Sequence, residues 1–175
     1  LAHLDTLTQS LFLDMFGDPK LNEKGWRLQA IGALSLEIRG GANLSPDDFL
    51  DTGFPVLHKG AIQAGGVLNL DAKKKIFTSA EFAASHRQSA VDSRHVVVTL
   101  RDLVPSGPSI GLAVNLANAE STEYLLAQGA YGLLLNPELV IPEYFVRVSA
   151  MPSFRPVFKQ MAVGSTQIHI RIPVY

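Results

Sequence analysis

The 175-residue chain contains no cysteine, which excludes a disulfide framework and every zinc site built on thiolates. It also lacks a long apolar run. Nothing approaches the roughly 20 consecutive apolar residues of a membrane span, and no membrane partner is expected. The opening Leu1-Ala2-His3-Leu4-Asp5 has neither the basic start of a signal peptide nor the character of a transit peptide. A soluble, cytoplasmic protein is therefore expected. No initiating Met is present, so the chain reads as a piece of a longer one. Charge of one sign is not in excess either: 15 Lys and Arg stand against 16 Asp and Glu, a net of −1. That balance argues against a polycation that coats nucleic acid in bulk.

Motifs for chemistry are missing as well. There is no phosphate-cradling Gly-Lys-Ser/Thr loop and no dinucleotide Gly-x-Gly-x-x-Gly after a strand. Ser106 stands in Pro-Ser-Gly rather than in a nucleophile elbow. The five histidines (His3, His58, His86, His95, His169) are scattered, with no His-Glu-x-x-His or His-x-His spacing, so no metal site is expected. Asp47 and Asp48 would suit a metal-dependent nuclease, but no Glu-x-Lys on a following strand completes one. Asp102, beside Arg101, reads as half of an ion pair rather than as an acid catalyst. No catalytic residue is assigned, and the chain reads as a binding protein.

What is present is a foldable composition, 47% hydrophobic and 18% charged, at a length that suits one domain with an appendage. The charge is uneven. Residues 1–52 carry four basic and eight acidic side chains, residues 53–101 seven and three, and residues 102–175 four and five. The middle third, at +4, is the candidate footprint for a polyanion, with a solvated basic face as the plain alternative.

Leu4, Leu7, Leu11 and Met15 fall at i, i+3, i+7 and i+11, an apolar stripe of coiled-coil type widened by Phe12 and Phe16. Gly17-Asp18-Pro19 ends that helix. No capping signal precedes Leu4, so the chain is expected to begin inside a longer helix; an ordinary amphipathic first helix is the alternative. After a polar linker, Trp26–Leu34 predicts a short helix and Leu36–Arg39 a strand. Phe54–Leu57 predicts a strand with its Pro at the start or edge. Ser79 is a candidate N-cap for a helix through Ser85. The β-branched run His95–Leu100 predicts a buried strand. Ile110–Leu116, Tyr124–Leu126 and Tyr131–Leu135 are further strand candidates. Pro142 suits the first turn of a helix through Ser149, and another is expected over Ser153–Met161. Gln167–Ile172 alternates as a half-buried strand should. Strands with a few short helices make an α+β domain.

Particular segments resemble those of a known family. The run "LDTLTQSLFLDMFGDP" (residues 4–19) is similar to the end of a conserved helix in type I restriction–modification specificity subunits. Trp26 with Ala30-Ile31-Gly32 resembles the opening of their second target-recognition domain. Arg39-Gly40-Gly41, Pro55-Val56-Leu57 and "VVVTLRDLVPSGPSIGLA" (96–113) resemble its middle. "LLAQGAYGLLLNPELVIPEYFVRVSA" (125–150) and "VGSTQIHIRIPV" (163–174) resemble its later helix and closing strand. The resemblance implies a mixed-sheet target-recognition domain with short helices over 18–175, preceded over 1–17 by the end of the spacer helix.

The family is non-catalytic by itself. The resemblance implies that the chain reads one half of a split double-stranded DNA sequence. Methyltransferase subunits would supply S-adenosylmethionine chemistry, and a restriction and translocase subunit the ATP- and Mg-dependent steps; this chain needs no cofactor. A second recognition domain, or a second copy of the chain, would read the other half. The stripe Leu4, Leu7, Leu11 and Met15 would belong to the spacer that docks these partners. Two other readings stand beside this one: the recognition domain of a single-chain restriction–modification enzyme, and a protein-interaction scaffold using the Leu4–Met15 helix.

Local chemistry selects the candidate DNA contacts. Lys59, Lys73, Lys74 and Lys75 lie in predicted loops and suit phosphates. Arg39 stands beside a double glycine that permits close backbone approach, and suits phosphate or base. Arg101 and Gln128 adjoin turns on neighbouring predicted strands, and each can be bidentate to a purine. Tyr131 and Gln167 complete the set. Gly164-Ser165-Thr166 reads first as a structural turn.

Overall fold

The valine run at 96–98 is buried on both sides and organises the domain. In this computed structural model, which describes residues 2–70 and 76–175, Val96–Thr99 forms strand β7 at the centre of the chain's first sheet. Lys73, Lys74 and Lys75 lie outside the described residues, as does the side chain of Leu4. Val96 and Val98 enter one apolar cluster, with Leu100, Ile110, Leu133, Val146, Phe158, Ile168 and Ile170. Val97 enters the other, with Leu57, Val91, Val114, Leu116, Tyr124 and Leu126. A strand with apolar matter on both faces needs a continuous hydrophobic run rather than alternation, and that is what the sequence carries.

The fold is α+β. The helices are α1 (Ala2–Phe16), α2 (Ile31–Leu34), α3 (Ala80–Ser85), α4 (Pro142–Ala150) and α5 (Arg155–Met161). The remaining strands are β1 (Ser35–Gly40), β2 (Phe54–Leu57), β3 (Ile62–Gln63), β4 (Val67–Leu68), β5 (Phe77–Thr78), β6 (Ala90–Asp92), β8 (Arg101–Asp102), β9 (Ala113–Asn115), β10 (Glu123–Leu126), β11 (Ala130–Leu135) and β12 (Ile168–His169). The first sheet, ordered β1-β11-β7-β9, is antiparallel throughout. The second, ordered β5-β2-β10-β6, has β10 parallel to β2 and antiparallel to β6. Two short antiparallel pairs, β8 with β12 and β3 with β4, complete the set.

Local signals in the sequence place most of these elements. Pro142 opens α4 at a position where its missing N–H costs nothing. The Ser79 hydroxyl accepts the Phe82 N–H at 3.0 Å and caps α3. The expected strand 110–116 shortens to Ala113–Asn115, and the expected strand 167–172 to Ile168–His169. Gly164–Thr166 does serve as a turn: Val163 and His169 pair antiparallel across it. Among the described residues no helix is long and apolar enough to cross a membrane.

The stripe on α1 divides by face. Phe12 is buried and stacks on Tyr144 of α4 at 5.4 Å between ring centroids, with Phe16 edge-on to the same ring at 5.1 Å. These two rings, rather than Leu7 and Leu11, hold α1 against α4. Leu7, Leu11 and Met15 remain 56%, 53% and 61% exposed. Replacing Leu11 by Ser is therefore expected to change the urea unfolding free energy by less than about 0.5 kcal/mol, as at other uncovered surface sites. A substantial loss would show that this face is covered within the chain.

Candidate functional site

Leu100 leaves the core and delivers Arg101 to β8. The Leu100 N–H donates to the Gly129 carbonyl at 3.0 Å, and the Leu100 carbonyl accepts the Ile170 N–H at 2.8 Å. β8 thus lies between the turn joining β10 to β11 and the closing strand β12, where His169 is the register partner of Arg101. Gln128 comes from the turn, 27 residues away in sequence, and Gln167 from the bend just before β12, 66 residues away. The half-buried Arg101 donates from Nη1 to Gln128 Oε1 at 2.8 Å and from Nη2 to Gln167 Oε1 at 2.6 Å.

These residues line a cleft of about 620 Å³ with Tyr131, His169 and Arg171. Among the described residues no acidic side chain lines it. Gly129 makes this approach possible. Its φ is +93°, and a Cβ there would stand 3.0 Å from the Cβ of Arg101 and 3.6 Å from the Cδ of Lys59. The stem of Lys59, in a short 3-10 turn after β2, thus packs beside Gly129, and its Nζ is buried.

Arg101, Gln128, Tyr131 and Gln167, each named from sequence, thus converge, with Lys59 beside them. Arg39 does not join them. It pairs in register with Gly132, while Tyr131 pairs with Gly40, so Arg39 and Tyr131 face opposite sides of the sheet. The Arg39 fork is engaged by Glu37, at 2.8 and 3.1 Å, and by the Ala90 carbonyl. The double glycine beside it also has an internal use. A Cβ on Gly41 would lie 2.0 Å from the Ala127 carbonyl oxygen, so the close approach is to the chain's own backbone.

Two residues were missed. In Gln167–Ile172 the period is two: Gln167, His169 and Arg171 are exposed, while Ile168 and Ile170 are buried. The alternation that selects Gln167 selects His169 and Arg171 equally.

Asp102 corrects another expectation, since it makes no ion pair with Arg101. The carboxylate turns inward and accepts from the Ser109 N–H at 2.9 Å, the Ser109 hydroxyl at 2.6 Å and the Val104 N–H at 3.3 Å. Burial pushes this carboxyl up, but the Ser109 and backbone hydrogen bonds together hold it below its ordinary value. Arg101 is left to the two amides.

The basic balance of the middle third is also partly spent within the fold. Arg94 donates to Asp92 at 2.6 Å, and with His95 holds that carboxyl far below the usual range. Arg87 grips Glu123 through two hydrogen bonds, at 3.0 and 3.1 Å, and lowers it. The cations that line the cleft, Arg101 and Arg171, come instead from the third's last residue and from the chain's far end. Among the described residues no three His, Asp or Glu side chains gather as a metal site would require.

The fold and the cleft define a class: an α+β domain of several small sheets presenting a polar cleft. The chain structurally matches type I restriction–modification S-subunit structures over most of its length. It is similar to the HsdS subunit from Thermoanaerobacter tengcongensis, with a TM-score of 0.56 and 16% identity, covering 95% of this chain and 38% of that one. It also resembles the type I restriction–modification system S subunit from M. genitalium, with a TM-score of 0.48 and 17% identity, covering 83% and 31% of the respective chains. The chain thus spans less than two fifths of the length of either structure. No protein-family model and no curated protein matches it.

Proposed function

We propose that this domain reads one half of a split double-stranded DNA sequence, as the target-recognition domain of a type I restriction–modification specificity subunit. Residues 18–175 are the reader, and residues 1–17 the end of the spacer helix. The observation that carries this reading is the cleft around Arg101, lined among the described residues by no acidic side chain and set on a fold shared with an HsdS subunit. Polar donors on a concave surface supply both needs of a DNA reader: cations on phosphates give affinity and register, and oriented donors on base edges give sequence. In this reading Arg171 at the rim takes a phosphate, while Arg101, Gln128, Tyr131 and Gln167 face the bases.

The chain's role is recognition. Methyltransferase and restriction–translocase subunits bring S-adenosylmethionine, ATP and Mg chemistry to the site it selects. Exposed Leu7, Leu11 and Met15 on α1 suit the spacer that docks those subunits or a second recognition domain. The same stripe favours a second reading, a scaffold that binds protein partners without DNA.

Anisotropy of a labelled randomised duplex separates the two. Binding at low salt that falls steeply as salt rises is expected, because each phosphate neutralised releases counterion. Arg171→Ala should weaken binding to all sequences and reduce the log–log salt slope by about one. No binding even with the methyltransferase subunits present, alongside their capture by this chain, would replace the DNA reading with the scaffold.

A further inference from the structure

The free donors of Arg101 favour one kind of base pair, provided that the cleft is a duplex-DNA surface, the reading on which this inference rests. A guanidinium only donates. Both Gln128 and Gln167 must therefore turn their amide oxygens to Arg101, as they do at 2.8 and 2.6 Å, and their NH2 groups are left as donors. Two of the five N–H groups of Arg101 are used in this way and three remain. Arg171 adds further donors, and among the described residues no carboxylate lines the cleft.

The four bases differ in what they ask of such a surface. In the major groove adenine and cytosine each present an amino donor, which needs a protein acceptor. Thymine presents one acceptor beside a methyl group, which prefers apolar contact. Guanine presents two adjacent acceptors, N7 and O6, and asks only for donors.

We infer that Arg101 reads a guanine of the half-site through N7 and O6, with Gln128 and Gln167 as positioning residues that hold its guanidinium from either side. The three segments meet only in the folded chain: β8, the turn before β11, and the bend before β12. A free arginine stem samples many rotamers. Two amides from separate elements restrict the fork before DNA arrives, so less freedom is lost on binding.

The test selects tight sites from a randomised duplex library with the unaltered chain. The selected sites are expected to share a G·C pair. Replacing that guanine by 7-deazaguanine, which removes N7 and keeps the Watson–Crick face, should weaken binding roughly 5- to 100-fold, the range for losing a bidentate base contact. Arg101→Met should lose a similar factor and become indifferent to the deaza substitution. Gln128→Leu and Gln167→Leu should relax preference at that same position while non-specific binding persists.

Selected sites without a shared G·C pair would overturn the inference, as would a wild-type chain insensitive to 7-deazaguanine. So would an Arg101→Met variant that weakens every sequence equally and lowers the salt slope by about one, because that is the signature of a phosphate contact. The deaza comparison uses the unaltered chain, so it does not depend on a variant folding. Absence of any duplex binding would remove the DNA reading itself, a different result from binding without guanine dependence.

Discussion

Gly41→Ala is expected to destabilise the domain by about 3 kcal/mol, the upper end of the overpacking range, and to lower its melting temperature by roughly 6–12 °C at this chain size. The added Cβ would lie 2.0 Å from the Ala127 oxygen and 2.4 Å from its carbonyl carbon. Both atoms belong to backbone, which cannot swing aside as a side-chain tip can. The joint that would open is the one tying the end of β1 to the corner between the two main sheets. There the Gly41 N–H donates to the Ala130 carbonyl at 3.1 Å and the Ala42 N–H to the Leu126 carbonyl at 2.8 Å. That corner also carries Gln128, so the same variant should disturb the cleft. Gly32→Ala is the control: nothing lies within 4 Å of its added Cβ, and it sits inside helix α2, where alanine is the better helix former by about 1 kcal/mol. Thermal unfolding of the two variants side by side decides the point; equal melting temperatures would show that the corner yields without cost.

Asp102→Ala is expected to cost about 2–3 kcal/mol at neutral pH, because hydrogen bonds to an ionised acceptor are worth more than neutral ones and their donors would be left partly buried. Ser109 would lose its partner for both N–H and hydroxyl, and Val104 its partner for N–H. The segment between them would lose its anchor. The loss should depend on pH in a definite direction. The folded carboxyl is held below its ordinary value of 3.8, so its contribution is complete above that value and disappears as pH falls through the lower folded one. The difference in urea stability between wild type and Asp102→Ala should thus be constant near neutrality and shrink below about pH 4. A gap that persists unchanged into strong acid would show that the carboxylate charge is not what holds the segment. Asp102→Asn, which keeps one acceptor oxygen, should fall between the two.

Much of the fold is legible along the chain. The end of α1 at Gly17-Asp18-Pro19, the start of α4 at Pro142 and the cap of α3 at Ser79 are local events, each settled by the chemistry of a few adjacent residues. Short strands are a different matter. β3, β4, β5, β6 and β8 are two or three residues long, too brief to show a period, and only their partners make them strands. The site divides in the same manner. Arg101 and Gln128 stand out as polar residues beside turns. His169 and Arg171 share the alternation of Gln167 and could have been read with it. Arg39 looked equally promising, but the pleat carries it to the face opposite Tyr131, where Glu37 and the Ala90 carbonyl occupy its fork.

By itself, then, the order of residues determined the α+β class, the buried β7, the end of α1 and the start of α4, and the lack of thiolate and phosphate-loop chemistry, because each depends on composition or on neighbours a few positions apart. The tertiary structure alone decided which charges are spent and which polar groups meet. It paired Arg87 with Glu123 across 36 residues of chain, and brought Gln128 and Gln167 to Arg101 across 27 and 66. Such meetings arise from strand register between distant segments. Register is set by the burial of whole faces, a property of the assembled sheets that no stretch of the chain carries alone.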